Sequence, residues 1–95
     1  MNIGKSISEL RKRKNIKQKD LAKKCNISVS ALCNIEKSKI PPSHKTVLTV
    51  AEKLGVSEGF LSLLAIEESD FKLEPEKIEM IKVMRNYLLQ SVTPQ

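Results

Sequence analysis

Apolar residues recur along most of this chain at three- and four-residue intervals, the spacing of one face of an α-helix, and the runs are separated by residues that stop helices. Ile3, Ile7 and Leu10 predict a first helix with Lys5, Ser6 and Glu9 on its other side. It ends in Arg11-Lys12-Arg13-Lys14, where positive charge is favourable beside the last carbonyls and is also well placed for phosphates. Leu21, Ala22 and Cys25 predict a second helix of about two turns with one buried face. Asn26 then tolerates a left-handed backbone, and Ser28 is a good N-cap, so one helix stops and another starts within three residues. On that third helix, over residues 28–37, Leu32 and Ile35 face inward while Ser30, Cys33, Asn34 and Lys37 project elsewhere. A small polar face is left over.

Ile40-Pro41-Pro42-Ser43 cannot continue the helix, because the second proline restricts the first and neither donates a backbone hydrogen bond. A fourth helix follows from about His44, with Val47, Val50, Ala51 and Leu54 on one face and Gly55 as its stop. Ser57 caps a fifth, in which Phe60, Leu61 and Leu64 complete the core and Glu58 lies in the first turn. Residues 66–73 read as a connector. Pro75 and Glu76 then open a sixth helix, with Glu79 early and Lys82 and Arg85 later, as the helix dipole favours. Its apolar residues, from Ile78 to Leu88, cover more than half of the circumference, so one side can pack on its own domain and the remainder reads as a subunit interface. A helix merely folded back on the domain is the alternative. The expected fold is all-α: a five-helix domain over residues 1–66, then a connector and C-terminal helix over 67–95.

Composition narrows the function. Ninety-five residues allow one domain, and a domain so small buries only about 60% of its unfolded surface, which suits a compact helical bundle. Only 3% of residues are aromatic, and Phe60, Phe71 and Tyr87 all lie outside the first half, which argues against the base-stacking platforms of RNA-binding sheets and single-strand grooves. Residues 1–40 carry eleven Lys or Arg against Glu9, Asp20 and Glu36, a balance of +8, whereas the remainder carries six against eight, a balance of −2. Such asymmetry is the footprint of a polyanion-binding face, the bland alternative being a solvated surface. No run of eighteen apolar residues exists and the N-terminus lacks the apolar core of a signal peptide, so a cytoplasmic protein without a membrane partner is expected. Cys25 and Cys33 are eight apart with no CxxC and His44 as the one histidine, so no metal site is expected; Cys25 reads as a small buried hydrophobe. His44 also lacks a neighbouring nucleophile or paired carboxylates, which speaks against an enzyme and gives no reason to expect a cofactor.

Periodicity alone leaves the segment from Lys17 to Lys39 as an αα-hairpin in some bundle, but its particulars say more. Gln18 at the start of the second helix, Leu21-Ala22, the turn Asn26-Ile27-Ser28, and Ile35-Glu36 near the end of the third resemble the helix-turn-helix of the phage-repressor and Cro family, also called the xenobiotic-response-element family of regulators. The likeness runs from about Ile3 to Ala65. It departs at Asn26, where the family usually has glycine, and asparagine reaches the same conformation at modest cost. The resemblance implies that Arg11 pairs with Glu36, tying the first helix to the recognition helix, and that Lys45 at the start of the fourth helix lies near the phosphate backbone.

Docked as such motifs dock, the third helix enters the major groove and the second crosses the backbone. Val29, Ser30, Cys33 and Asn34 then face the bases. Asn34 is the best reader, because an amide can bond both edges of adenine, whereas Val29 offers only apolar contact. Lys17, Gln18, Lys37, Lys39 and Lys45 are the expected phosphate contacts. The resulting expectation is a dimeric, sequence-specific transcriptional regulator of double-stranded DNA, most simply a repressor. The rival is a protein-interaction module, since relatives use this fold as antitoxin or coactivator.

Overall fold

The computed structural model describes residues 1–67, 70 and 74–92. Helices α1 (Ile3–Arg13), α2 (Gln18–Lys24), α3 (Val29–Glu36), α4 (His44–Lys53), α5 (Glu58–Ala65) and α6 (Pro75–Gln90) follow in order, with no strand among the described residues. The fold is all-α, with five short helices around one core and a longer sixth laid on the outside. The connector read over residues 66–73, and Phe71 within it, fall outside the described residues except for Ile66, Glu67 and Asp70.

Short helices need help at both ends, because each leaves four N–H and four C=O groups without an internal partner. Asn2, Ser28, Ser43 and Ser57 supply it at the starts, each side-chain oxygen accepting a backbone N–H three residues on, at 3.0, 3.0, 3.2 and 3.1 Å. At the other ends a single device recurs. Asn15, Asn26, Ser38 and Gly55 take left-handed backbones, with φ of 59, 57, 60 and 74°. The next residue's N–H then reaches back to a carbonyl five residues earlier: Ile16 to Arg11, Ile27 to Ala22, Lys39 to Asn34 and Val56 to Ala51, all at 2.9–3.0 Å. In three of the four the following residue is apolar and turns inward, so the turn that ends a helix also delivers a side chain to the core.

The core runs from Ile7 to Leu64 and draws on α1 through α5, with Ile7, Leu10, Leu21, Leu32, Val50 and Leu61 fully enclosed. Two residues correct the sequence reading. Ser6, assigned to the polar side of α1, is buried, and its hydroxyl donates to the Asn2 carbonyl at 3.2 Å, which removes the cost of enclosing it. Ile16, absent from any helical face, is a core residue. Gly4 is also buried, where α1 passes the C-terminal turn of α3 so closely that a Cβ would strike the Ile35 carbonyl oxygen.

Helix α6 packs on this body through Leu88 and Leu89, and Val92 just past its end joins them. Arg85 fastens it: Nε donates to the Leu64 carbonyl at 2.9 Å and Nη2 to Glu9 at 2.6 Å, while Arg13 of α1 donates to the Leu89 carbonyl at 3.2 Å. Sequence reading placed Arg85 only as a dipole partner. Its carboxylate is 76 residues away in the chain, a pairing that helical spacing does not reveal.

Candidate nucleic-acid interface

Helix α3 is held from inside by Leu32 and Ile35, both buried, and the residues between them are thereby turned outward. Val29 and Ser30 at its first turn are exposed, Cys33 and Asn34 half-buried, and Lys37 at its end exposed. They fall on one side of the helix at i, i+1, i+4, i+5 and i+8. Ser28 already satisfies the Ala31 N–H, and the Asn34 carbonyl accepts from Lys39 N at 2.9 Å, so the turn carrying Lys37 and Lys39 is built onto the helix. The Ser38 hydroxyl donates to Asn2 Oδ1 at 2.8 Å, fixing the same turn to α1.

Behind this face lies a buried ionic cluster. Arg11 Nε donates to Glu36 Oε2 at 2.8 Å and Nη2 to Oε1 at 3.0 Å, a bidentate pair with the two side chains 11% and 5% exposed. The remaining Arg11 nitrogen donates to the Ile16 carbonyl at 2.9 Å. Gln18 Nε2 completes the set, donating to Glu36 Oε1 at 3.2 Å. Three helices therefore meet at one carboxylate, which sets the angle and distance of α3 relative to α1 and α2. Gln18 is expected from sequence as a phosphate contact; in the structure its amide is held by Glu36, and the exposed Lys17 stands before it at the start of α2.

The Gln18–Glu36 bond ties the start of α2, which Lys17 precedes, to the C-terminal end of α3, which Lys37 follows. Lys45 stands apart, at the second position of α4 beyond the proline loop, exposed, with its carbonyl accepting from Thr49. His44 Nδ1 lies 3.3 Å from Glu58 Oε1, joining the starts of α4 and α5 at the surface. Cys25 is buried at the end of α2, and burial pushes its thiol above the ordinary value. No group of three His, Cys, Asp or Glu side chains able to hold a metal is gathered among the described residues, and no helix there is long and apolar enough to cross a membrane.

Two short helices at a fixed angle, the second presenting a polar face from a basic half-molecule, define a helix-turn-helix. The helix-turn-helix family model matches residues 7–61, from α1 into α5, and the chain belongs to that family, the phage-repressor and Cro type of DNA-binding regulators. It is 32% identical over 81 residues to the immunity repressor protein of Bacillus phage phi105, a match covering 81% of this chain and 56% of that protein. No solved structure matches. Helix α6 lies beyond the family match.

Sequence reading missed Ile16, and it placed Glu9 on the polar side of α1 without its Arg85 partner. For Ile16 the signal was present: Asn15-Ile16 repeats the Asn26-Ile27 pair that was recognised as a turn eleven residues later.

Proposed function

We propose that this chain is a cytoplasmic, sequence-specific DNA-binding repressor that engages a two-fold operator as a dimer. Its residues 1–66 bind DNA, and the segment from 67 onward serves self-association. The supporting observation is the clasp of Arg11, Gln18 and Glu36, which holds α3 rigidly with its polar face outward on the basic half of the chain. A reading helix must be positioned to within fractions of an ångström for base-edge hydrogen bonds to discriminate.

Asn34 supplies the main readout, bidentate to adenine, with Ser30 and Cys33 beside it and Val29 against a thymine methyl. Lys17, Lys37, Lys39 and Lys45 contact phosphates, with Gln18 acting through Glu36. Immunity repression, as carried in the phage relative's name, is consistent with such a molecule. Selection of bound sites from random duplexes tests the reading. Enrichment of an inverted repeat, with half-sites about one helical turn apart, is the expected result. Recovery of unenriched duplexes, or no retention at low salt, would overturn it.

A further inference from the structure

Helix α6 carries two apolar stripes. Ile78, Ile81 and Leu88, with Arg85 among them, are half-buried toward the domain, and the anchoring of Arg85 on Leu64 and Glu9 prevents the helix from rolling. The second stripe is therefore fixed outward: Met80, Val83, Met84 and Tyr87 are 70, 60, 40 and 71% exposed. At 100° per residue the two stripes are centred about 125° apart, so neither covers the other. Four large apolar side chains at i, i+3, i+4 and i+7 form the seam of a helix pair whose other member is missing.

We infer that the missing member is α6 of a second copy, running antiparallel about a two-fold axis between Val83 and Met84. Two observations select this occupant. The stripe is self-complementary under reversal: pairing each residue i with 167 − i sets Met80 against Tyr87 of the partner subunit and Val83 against the partner's Met84. Each end of the seam then becomes a thioether–aromatic contact, a favourable pairing. Charge selects the direction. Glu76 lies on the seam one turn before Met80, with Glu79 on its flank. Parallel helices would bring each Glu76 onto its own copy and align the dipoles, whereas reversal places Glu76 by the uncharged Ser91 of the partner subunit and Glu79 by the partner's Leu88.

The seam is small. By side-chain size its four residues bury roughly 500 Å² per chain, against about 800 Å² per partner in a standard interface. The pairing is accordingly reversible, and is completed when two chains occupy neighbouring half-sites, where each meets the other at an effective concentration in the millimolar range. The inference deepens the dimeric reading above and rests on it for the role of DNA, but not for the contact itself.

Cysteine cross-linking of the full chain in a Cys33→Ser background reads the geometry. Reversal puts residue 80 next to the partner's residue 87, but sets the two copies of residue 80 about 10 Å apart along the seam, beyond disulfide reach. A mixture of Met80→Cys and Tyr87→Cys chains is expected to form covalent dimers on mild oxidation, and either chain alone to remain monomeric. Efficient cross-linking of either alone would overturn the antiparallel order, and no cross-linking in the mixture would overturn the interface. Tyr87→Glu, at an exposed site, is expected to leave the thermal melt and single half-site binding unchanged while lowering affinity for a two-half-site duplex about a hundredfold. Retention of full affinity in that variant would also defeat the α6 pairing. If the unmodified chain bound no duplex while the Met80→Cys and Tyr87→Cys mixture cross-linked as described, the repressor reading would fail and the antiparallel pair would stand.

Discussion

At Gly4 the absence of a side chain decides how closely α1 can approach α3. Alanine there must displace the Ile35 carbonyl, which is backbone and cannot swing aside, so Gly4→Ala is expected to destabilise the domain by about 1–3 kcal/mol in urea titrations despite alanine's better helix propensity. Arg11 is a stronger case, since its loss leaves the Ile16 carbonyl without its donor and Glu36 with only Gln18. Arg11→Ala should cost about 3–5 kcal/mol, and Arg11→Lys should rescue only part of it, because an ammonium cannot form the bidentate pair. The two thiols offer a further check. Cys25 is buried with its thiol pushed up by desolvation, so iodoacetamide should label the half-exposed Cys33 first, and bound operator should protect Cys33 if α3 occupies the groove. The raised thiol also fixes a sign: its contribution to stability is complete below the ordinary thiol value and is lost as pH rises through the folded one. Which residues pack was readable wherever helical spacing held, as for Leu10 and Leu32. Gly4 escaped because its burial comes from a helix crossing, a relation between distant positions, and Ser6 because a hydroxyl gives no hydrophobic signal of its burial.

Under the proposed docking, α3 reads base edges and the turn after it positions the DNA backbone. Asn34→Ala should lower affinity for the selected site by about 1–3 kcal/mol and flatten preference at one base pair, while Lys39→Ala should weaken all sequences alike. Competition assays showing the reverse would mean that α3 sits in the groove in another register. The boundaries of α2, α4 and α6 follow from stops and caps visible in the chain: Asn26, the prolines before Ser43, Gly55, and Pro75. Helix α6 was legible as a helix with too much apolar arc for one contact, but the split of that arc into two stripes needed the position of Arg85. The enclosed core contains no residue of α6. A chain ending after Glu67 should therefore stay folded, losing about 2–4 kcal/mol of unfolding free energy from the contacts of Leu88, Leu89 and Val92. Circular dichroism and a denaturant titration would check both halves of that expectation.

For the molecule as a whole, the division of charge into a +8 half and a −2 remainder sets how DNA affinity responds to salt. A dimer neutralising about five phosphates per subunit should show a log–log slope near −9, and a slope shallower than about −2 would exclude this face as the DNA-binding one. The left-handed turns have a different consequence, for lifetime rather than binding. Asn15 and Asn26 each hold a conformation that glycine adopts without steric cost, and their side chains are exposed. Replacing both with glycine should raise stability by about 1 kcal/mol, after allowing for glycine's greater freedom when unfolded. That lowers the population open to proteases about fivefold, and where degradation tracks the open form it slows turnover in proportion. A pulse-chase comparison of the two chains would check this, with the double-glycine chain expected to outlast the natural one and equal half-lives counting against it.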